Sequence, residues 1–331
     1  MTIENYVGID VSKLSIDVFI RENHVHKKFK NESNGFYQIM QWLQEQLCHS
    51  LKSVLICLEH TGVYSLPLAL FLEKEGIPFA MVPALEIKKS IGITRGKNDL
   101  IDSKRIAEYA YRFKDKISVT VLPAVDIRKI QSLLQLGSRL VSNMNGYVVS
   151  MNETLRAMSI EDFPELYSAY QTQIINLKDE IKKLEQAIKV IIKNNPQLSN
   201  SFQLITTVKG IGFIIASYLI AYTYNFKRFD NWRKFACYSG IAPFDYQSGT
   251  SIRGKTQVSP LANQQIKKML HLAAMCAAHY DPELKEYYFR RQADGKAKMA
   301  VINIIRNKLV SRVFAVVKRG TPFVHIKKYM A

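Results

Sequence analysis

The chain has 331 residues, with 46 Lys and Arg against 28 Asp and Glu, a formal net charge of +18. Hydrophobic residues make up 47% and aromatics 11%. That is enough apolar side chain for the cores of two or three domains, and it excludes wholesale disorder. No apolar run reaches the roughly 18 residues of a membrane span, and the first residues lack the basic and apolar regions of a secretory signal. Cys48, Cys57, Cys237 and Cys276 stand far apart, outside any CxxC pair, so neither a zinc site nor a disulfide framework is expected, and a soluble, reducing, cytoplasmic setting fits best.

Taken in chain order, residues 6–10, 15–20 and 24–30 read as three strands, and the cluster Asn31, Ser33, Asn34 and Gly35 breaks the pattern. Residues 36–47 read as a helix. The short apolar run at 53–59, SVLICLE, reads as a strand buried on both faces. A helix near 66–75, a Gly76-Ile77-Pro78 turn, a strand at 79–82, a helical turn at 86–90, a basic loop at 92–98 and a helix at 100–113 follow. Three antiparallel strands, a helix, then strand–helix–strand–helix is an α/β order with a mixed sheet. It matches an RNase H-like domain over residues 1–115.

Residues 124–195 change character. Apolar positions recur at three- and four-residue spacing along 127–158 and again at Ile174, Ile175, Leu177, Ile181, Leu184, Ile188 and Ile191, with Pro164 between the runs and Pro196 after them. This predicts a helical hairpin or coiled coil, either a spacer or a dimerising element. Residues 202–331 read as mainly α. Val208-Lys209-Gly210-Ile211-Gly212 lies between two apolar helical stretches, the form of a helix–hairpin–helix element whose glycines let backbone amides approach a phosphate. The alternative is a tight interhelical turn. Residues 229–238, a Gly/Pro/Ser-rich loop at 240–260, and helices near 261–279 and 297–318 complete the chain.

Charge is placed unevenly. Residues 285–331 hold 12 basic and 2 acidic residues, on a segment that also reads as helical. A polyanion is the natural partner, since Lys and Arg displace condensed counterions from phosphates, with a merely soluble basic protein or an anionic membrane surface as the alternatives. Arg306, Lys308 and Arg312 are the candidate contacts on the last helix.

Four acids end elements. Asp10 closes the first strand, Glu59 closes the SVLICLE run, and Asp99 and Asp102 open the helix at 100–113 on one face. Such hard oxygen ligands suit Mg²⁺, and metal so held polarises phosphate. Asp99 and Asp102 alternatively serve as an N-cap and a favourable charge at a helix N-terminus. Asp17 and Glu86 compete, and Asp17, mid-strand between Ile16 and Val18, is expected to face solvent. In the loop FDYQSGTSIRG, Ser248 and Ser251 are candidate nucleophiles, and Arg253 and Lys255 candidate phosphate ligands.

These motifs resemble the DEDD transposases of the insertion-sequence-110 family, related to the Piv/MooV DNA invertases. VGIDVSK (Asp10), CLEHTGVY (Glu59) and KNDLIDSKRIAEYA (Asp99, Asp102) resemble their RuvC-like domain. TVKGIGFIIASYL, FACYSGIAPFDYQSGTSIRG and AKMAVINIIRNKL resemble their transposase domain. The resemblance implies a bacterial DNA recombinase in which the four acids bind Mg²⁺. By the GIAP…SG spacing Ser248 inherits the essential serine, with Ser251 as the fallback. It further implies a phosphoserine link to DNA and a structured bridge RNA that pairs with donor and target duplexes. The chain departs from relatives at residues 258–267, where Asn263 and Lys267 hold the Asn and Arg places of a K-x-G-N-x-x-L-R run whose Lys and Gly are absent. An assembly of two or four chains is expected, with no membrane partner. The alternative reading is a RuvC-like junction or single-strand nuclease that uses water as its nucleophile.

Overall fold

The computed structural model describes residues 3–47, 51–92, 98–245, 247–248, 252–254 and 257–324. The chain divides into two compact units, Met1–Leu122 and Pro123–Ala331. Among the described residues no helix is long and apolar enough to cross a membrane.

Unit 1 contains β1 (Asn5–Val11), β2 (Ser15–Ile20), β3 (Val25–Lys30), α1 (Ser33–Leu47), β4 (Val54–Glu59), α2 (Leu66–Lys74), β5 (Phe79–Val82), α3 (Ala84–Ile91) and α4 (Asp99–Arg112). The five strands form one sheet in the order β3-β2-β1-β4-β5. β1 pairs antiparallel with β2 and parallel with β4; β3 is antiparallel to β2 and β5 parallel to β4. The mixed sheet of the expected α/β class is thus present, and it is compatible with an RNase H-like domain.

The two-residue period of a strand sorts the side chains. Val7, Ile9 and Val11, with Val54, Ile56 and Leu58, pack under Ile39 and Leu43 of α1 and Leu68 and Leu72 of α2. Tyr6, Leu55 and Cys57 face the other way, against Ile106, Tyr109 and Ala110 of α4. Burial on both faces explains the unbroken apolar run at 53–59. Two glycines are required by close approach. A Cβ on Gly8 would stand 2.2 Å from the Ala107 nitrogen and the Ser103 oxygen, so α4 lies directly on β1. A Cβ on Gly35 would stand 2.0 Å from the Lys30 carbonyl oxygen. Gly35 therefore does not break structure as expected: α1 starts at Ser33, and the glycine lets its first turn fold back on the end of β3.

Unit 2 is mainly helical: α5 (Val125–Ala157), α6 (Pro164–Asn194), α7 (Pro196–Thr206), α8 (Phe213–Tyr222), α9 (Trp232–Tyr238), α10 (Gln264–Tyr280), α11 (Pro282–Ala293) and α12 (Lys298–Arg319). Two short ladders occupy the expected loop between α9 and α10. β6 (Pro243–Phe244) pairs with β9 (Gln257–Val258), and β7 (Gln247–Ser248) with β8 (Ile252–Arg253). α5 and α6 form an antiparallel hairpin: Tyr147 meets Tyr170 with ring centroids 6.4 Å apart, and Gly137 faces Leu184. At the open end of the hairpin, Ile127, Ile130, Leu134, Ile188 and Ile192 join one core with Ile205, Leu219, Phe235, Leu270, Ile305 and Leu309. Toward its turn, Tyr147, Val149, Leu155, Phe163, Leu166 and Ile175 are exposed.

Pro196 does not merely end α6. It opens α7, with the Asn195 side chain accepting from the Leu198 amide at 3.3 Å. α11 is absent from the elements expected of the sequence, although its start carries a strong signal, Asp281-Pro282-Glu283. The Asp281 carboxylate caps the helix by accepting from the Leu284 amide at 3.0 Å, and Pro282 takes the first helical position.

Candidate active site

The acids of unit 1 gather because of the sheet register and Gly8. β1 pairs Ile9 with Leu58 of β4, so the next residues along, Asp10 and Glu59, end neighbouring parallel strands. Asp10 shares the strand face of Tyr6 and Gly8, the face on which α4 lies. Asp99 and Asp102 sit in the first turn of α4. The Asn98 side chain caps that helix, accepting from the Ile101 amide at 2.7 Å, which leaves both aspartates free of capping. The electrostatics record this convergence. Burial first, and then the charges of Glu59, Asp102, Asp99 and Asp17, together push the Asp10 carboxyl up to about 6. Asp10 therefore lies within electrostatic reach of the other three acids expected from the sequence, and of Asp17.

Asp17 does not face solvent. It stands opposite Asp10 in the β1–β2 register and is 4% exposed. The face that looks open in the sequence is covered by α4. His26 Nε2 lies 2.9 Å from its Oδ1 and Lys28 Nζ lies 3.4 Å from its Oδ2. Lys28 also donates to Asp99 Oδ2 at 3.2 Å, and its own pKa is raised, first by that bond and then by Asp17. Arg105 donates to Asp102 Oδ1 at 3.0 Å. Asp10 alone of the aspartates here has no cationic partner among the described residues. Glu86, the other competing acid, lies elsewhere and accepts from the Tyr109 hydroxyl at 2.6 Å.

The chemistry of this donor set fits a hard divalent cation. Several carboxylates, one of them partly desolvated and uncompensated, favour a cation over one another's company. Among the described residues no three His, Cys, Asp or Glu side chains are gathered as a ready metal cage. Lys28 and Arg105 occupy Asp99 and Asp102 instead. Sequence reasoning does not single out Lys28, His26 or Arg105. Only the cross-strand register and an i, i+3 spacing hint at them.

In unit 2, Ser248 pairs with Ile252 across the β7–β8 ladder. Its side chain, like that of Arg253, lies outside the described residues, as do Ser251 and Lys255 entirely. The root of this hairpin is held firmly. Ile241 is fully buried, and its carbonyl accepts from Asn303 Nδ2 and from Asn307 Nδ2 of α12, both at 3.0 Å. Gly240, at φ +65°, would place a Cβ 2.4 Å from that of Ala262. Asn263, which the resemblance sets at the Asn of the K-x-G-N-x-x-L-R run, holds structure together. It caps α10 by accepting from the Ile266 amide and donates to the Tyr238 hydroxyl, both at 3.0 Å.

The candidate nucleic-acid ligands separate into two groups. Lys209 is exposed. Gly210, at φ +94°, lies 2.8–2.9 Å (measured from an added Cβ) from the Ala273 oxygen and Ala277 Cβ of α10, so helix packing accounts for it. Gly212 precedes α8 with open space around it. On α12, Arg306 and Arg312 do not form the solvated basic face expected of them. Arg306 is 7% exposed and meets His271 Nδ1 at 2.6 Å, and burial lowers its pKa. Arg312 donates to the fully buried Asp281 at 3.0 Å and to Glu283 at 2.6 Å. A four-residue step along a helix is 400°, and the apolar stripe that buries α12 also carries these positions inward. Lys308 stands 4.5 Å over the Tyr287 ring.

Comparison with known proteins agrees with this architecture. Residues 7–160 match the family model of DEDD transposases of the IS110 type, described as Transposase, and residues 202–289 match the Transposase IS116/IS110/IS902 family. The chain is 25% identical over 327 residues, 97% of its length and 98% of the relative's, to the pilin gene-inverting protein of Moraxella bovis. The same figures hold for the pilin gene-inverting protein of Moraxella lacunata. It is 29% identical over 143 residues, 43% of this chain and 34% of the relative, to the insertion element IS110 uncharacterized 43.6 kDa protein of Streptomyces coelicolor. With two models of one family together spanning most of its length, the chain belongs to the IS110 family of DEDD transposases, enzymes of DNA transposition and recombination.

Proposed function

We propose that this chain moves or inverts a DNA segment by Mg²⁺-dependent transesterification, with Ser248 as nucleophile and a structured bridge RNA choosing the sites. The observation that carries the reading is the crowding of Glu59, Asp102, Asp99 and Asp17 around Asp10, which holds a carboxyl at about 6 where a cation would relieve it. Asp10, Glu59, Asp99 and Asp102 are the residues to hold Mg²⁺, with Lys28 and Arg105 giving way. Bound there, the metal supplies charge neutralisation at a scissile phosphate. The Ser248 hydroxyl attacks phosphorus and loses its proton to solvent. An Oγ–P ester forms, a P–O bond to deoxyribose breaks, and the leaving sugar oxygen takes up a proton. The ester conserves the phosphodiester for rejoining, so no nucleotide cofactor is consumed.

Arg253 of β8, Lys255 two residues after it in the sequence, and Lys209 with the Gly212 amide are proposed to hold phosphates. The resemblance supplies the RNA partner, and the strongly basic C-terminal region is consistent with it. A homodimer or homotetramer is supported by the apolar residues exposed toward the turn of the α5–α6 hairpin, Tyr147, Val149, Phe163 and Ile175 among them. The decisive experiment traps the ester. Wild-type protein mixed with guide RNA, duplex DNA and Mg²⁺ should yield a detergent-resistant protein–DNA adduct, and mass spectrometry should place the nucleotide on Ser248. Ser248→Ala should lose both adduct and strand exchange. An adduct on Ser251 would move the nucleophile, and cutting by the double alanine variant would establish a water-using nuclease instead.

A further inference from the structure

A cavity of about 450 Å³ lies in unit 1, away from the acid cluster. Its floor is Ala80 and Val82 of the edge strand β5, and its walls are α3, the C-terminal end of α4 and the segment 116–120. That segment is fastened along β5: the Thr120 amide donates to the Phe79 carbonyl at 2.7 Å, and Thr120 Oγ1 accepts from the Met81 amide at 2.8 Å. The wall is therefore built before any ligand arrives.

Its chemistry is specific. Phe113 lines the cavity, half-buried, with its ring stacked on that of Tyr109 at 4.9 Å. Tyr109 is 4% exposed and directs its hydroxyl to Glu86 Oε1 at 2.6 Å. Glu86 Oε2 has no hydrogen-bond donor, and Glu86 no ion pair, among the described residues, although Lys89 and Lys116 line the same cavity. Burial, and then the charge of Glu86, push the Cys57 thiol beneath it up to about 12. Lys116 Nζ lies 5.8 Å over the Phe113 ring, so a ligand that fits displaces it with a flat aromatic face, offers an N–H donor to Glu86, and offers an anion to Lys89 and the displaced Lys116. The volume lies within the range of seats for small ligands. Glu86, Lys89, Lys116 and Ser118 are exposed, so the seat is open and a ligand can remain attached to a longer chain.

We propose that this cavity seats one unpaired nucleotide of a nucleic-acid strand, its base stacked at Phe113 and a base amino group donated to Glu86. The inference rests on the nucleic-acid chemistry of the family and adds a base-reading site to it. Strand exchange between duplexes necessarily passes through bases outside the double helix, and stacking platforms with neighbouring cations are how proteins hold such bases. Glu86 makes the seat selective. Cytosine presents an amino group, whereas the one N–H of thymine or uracil is flanked by two carbonyl oxygens that a carboxylate repels.

The test measures binding of the full-length protein, in chelator to prevent cleavage, to short homopolymers dC, dT, rC and rU and to a blunt duplex. Wild type should bind C over T or U by about tenfold in at least one sugar series, the gain expected of one hydrogen bond to a charged group. A preference confined to rC identifies RNA as the source, and one confined to dC identifies DNA. Glu86→Gln should erase or invert the preference. This exposed substitution removes no buried volume, and the ratio is indifferent to partial unfolding. Phe113→Leu should weaken all single strands by about tenfold and leave the duplex within about twofold. Unchanged ratios in Glu86→Gln, or unchanged single-strand affinity in Phe113→Leu, would overturn the proposal. Either result with strand exchange intact removes the nucleotide seat alone, whereas failure to trap a serine adduct removes the transesterification reading and leaves these ratios standing.

Discussion

Asp10 shows at residue scale how a proposed cation seat weakens the protein that carries it. A carboxyl raised from 3.8 to about 6 binds its proton more tightly in the folded chain than in the unfolded one. By linkage, the contribution of this group is present below about pH 4 and is lost as pH rises through 6. At about pH 8 the charged form is a net cost, on the order of 1–2 kcal/mol once solvent screening at a half-buried site is allowed for. Asp10→Asn should therefore raise the denaturation midpoint at pH 8, change little near pH 4, and abolish strand cleavage. Millimolar Mg²⁺ should raise the melting temperature of wild type at pH 8 and leave Asp10→Asn where it is; a wild-type melting temperature indifferent to Mg²⁺ would falsify the cation seat. Arg312 makes the opposite case. Its partner Asp281 is fully buried and caps α11. Arg312→Gln should thus cost about 3 kcal/mol of stability, as breaking buried pairs does, measured by denaturant titration. A loss of nucleic-acid affinity without loss of stability would restore it to the binding surface.

At the scale of elements, α4 is positioned by an absence. Gly8 has no Cβ, and an added one would lie 2.2 Å from backbone atoms of Ala107 and Ser103. Backbone yields far less readily than a side chain, so Gly8→Ala should displace α4 and with it Asp99 and Asp102. The expected cost is about 1–3 kcal/mol or more, together with loss of cleavage. Gly146, inside α5 with no neighbour within 4 Å, is the control. Gly146→Ala should stabilise by about 0.5–1 kcal/mol, and equal effects at both sites would refute close packing as the reason for Gly8. The same contrast explains what is legible in the sequence. Strand and helix identities follow from period, and Asp10, Glu59, Asp99 and Asp102 can be picked out because each ends or opens an element. The burial of Asp17 cannot, since it depends on which face α4 covers, a long-range fact that a strand of six residues does not contain. α11 is readable from Asp281-Pro282-Glu283, but its low hydrophobicity hides it from a search for apolar period. Arg306 and Arg312 mislead for the converse reason: their residue type suggests a binding surface until the phase of the helix is taken into account.

The whole molecule carries a net charge of +18, and the structure decides which cations can act on a polyanion. Of the 12 in residues 285–331, Arg306 is buried and Arg312 is paired with two acids. Lys285, Arg290, Lys296, Lys298, Lys318 and Arg319 are exposed on α11, on α12 and between them. Only solvated cations release condensed counterions when they meet phosphates, and each such contact steepens the fall of log affinity with log salt by about 0.9. Replacing Lys285, Lys296, Lys298 and Lys318 together with Gln should therefore flatten that slope by up to about three to four units for duplex DNA, with the melting temperature almost unchanged. Arg306→Gln should do the reverse, lowering the melting temperature and leaving the slope of the folded fraction as it was. The two measurements separate charge that binds from charge that packs. If the quadruple variant keeps the wild-type slope while still binding DNA, the phosphates are met elsewhere, and Arg253 and Lys255 become the next cations to neutralise.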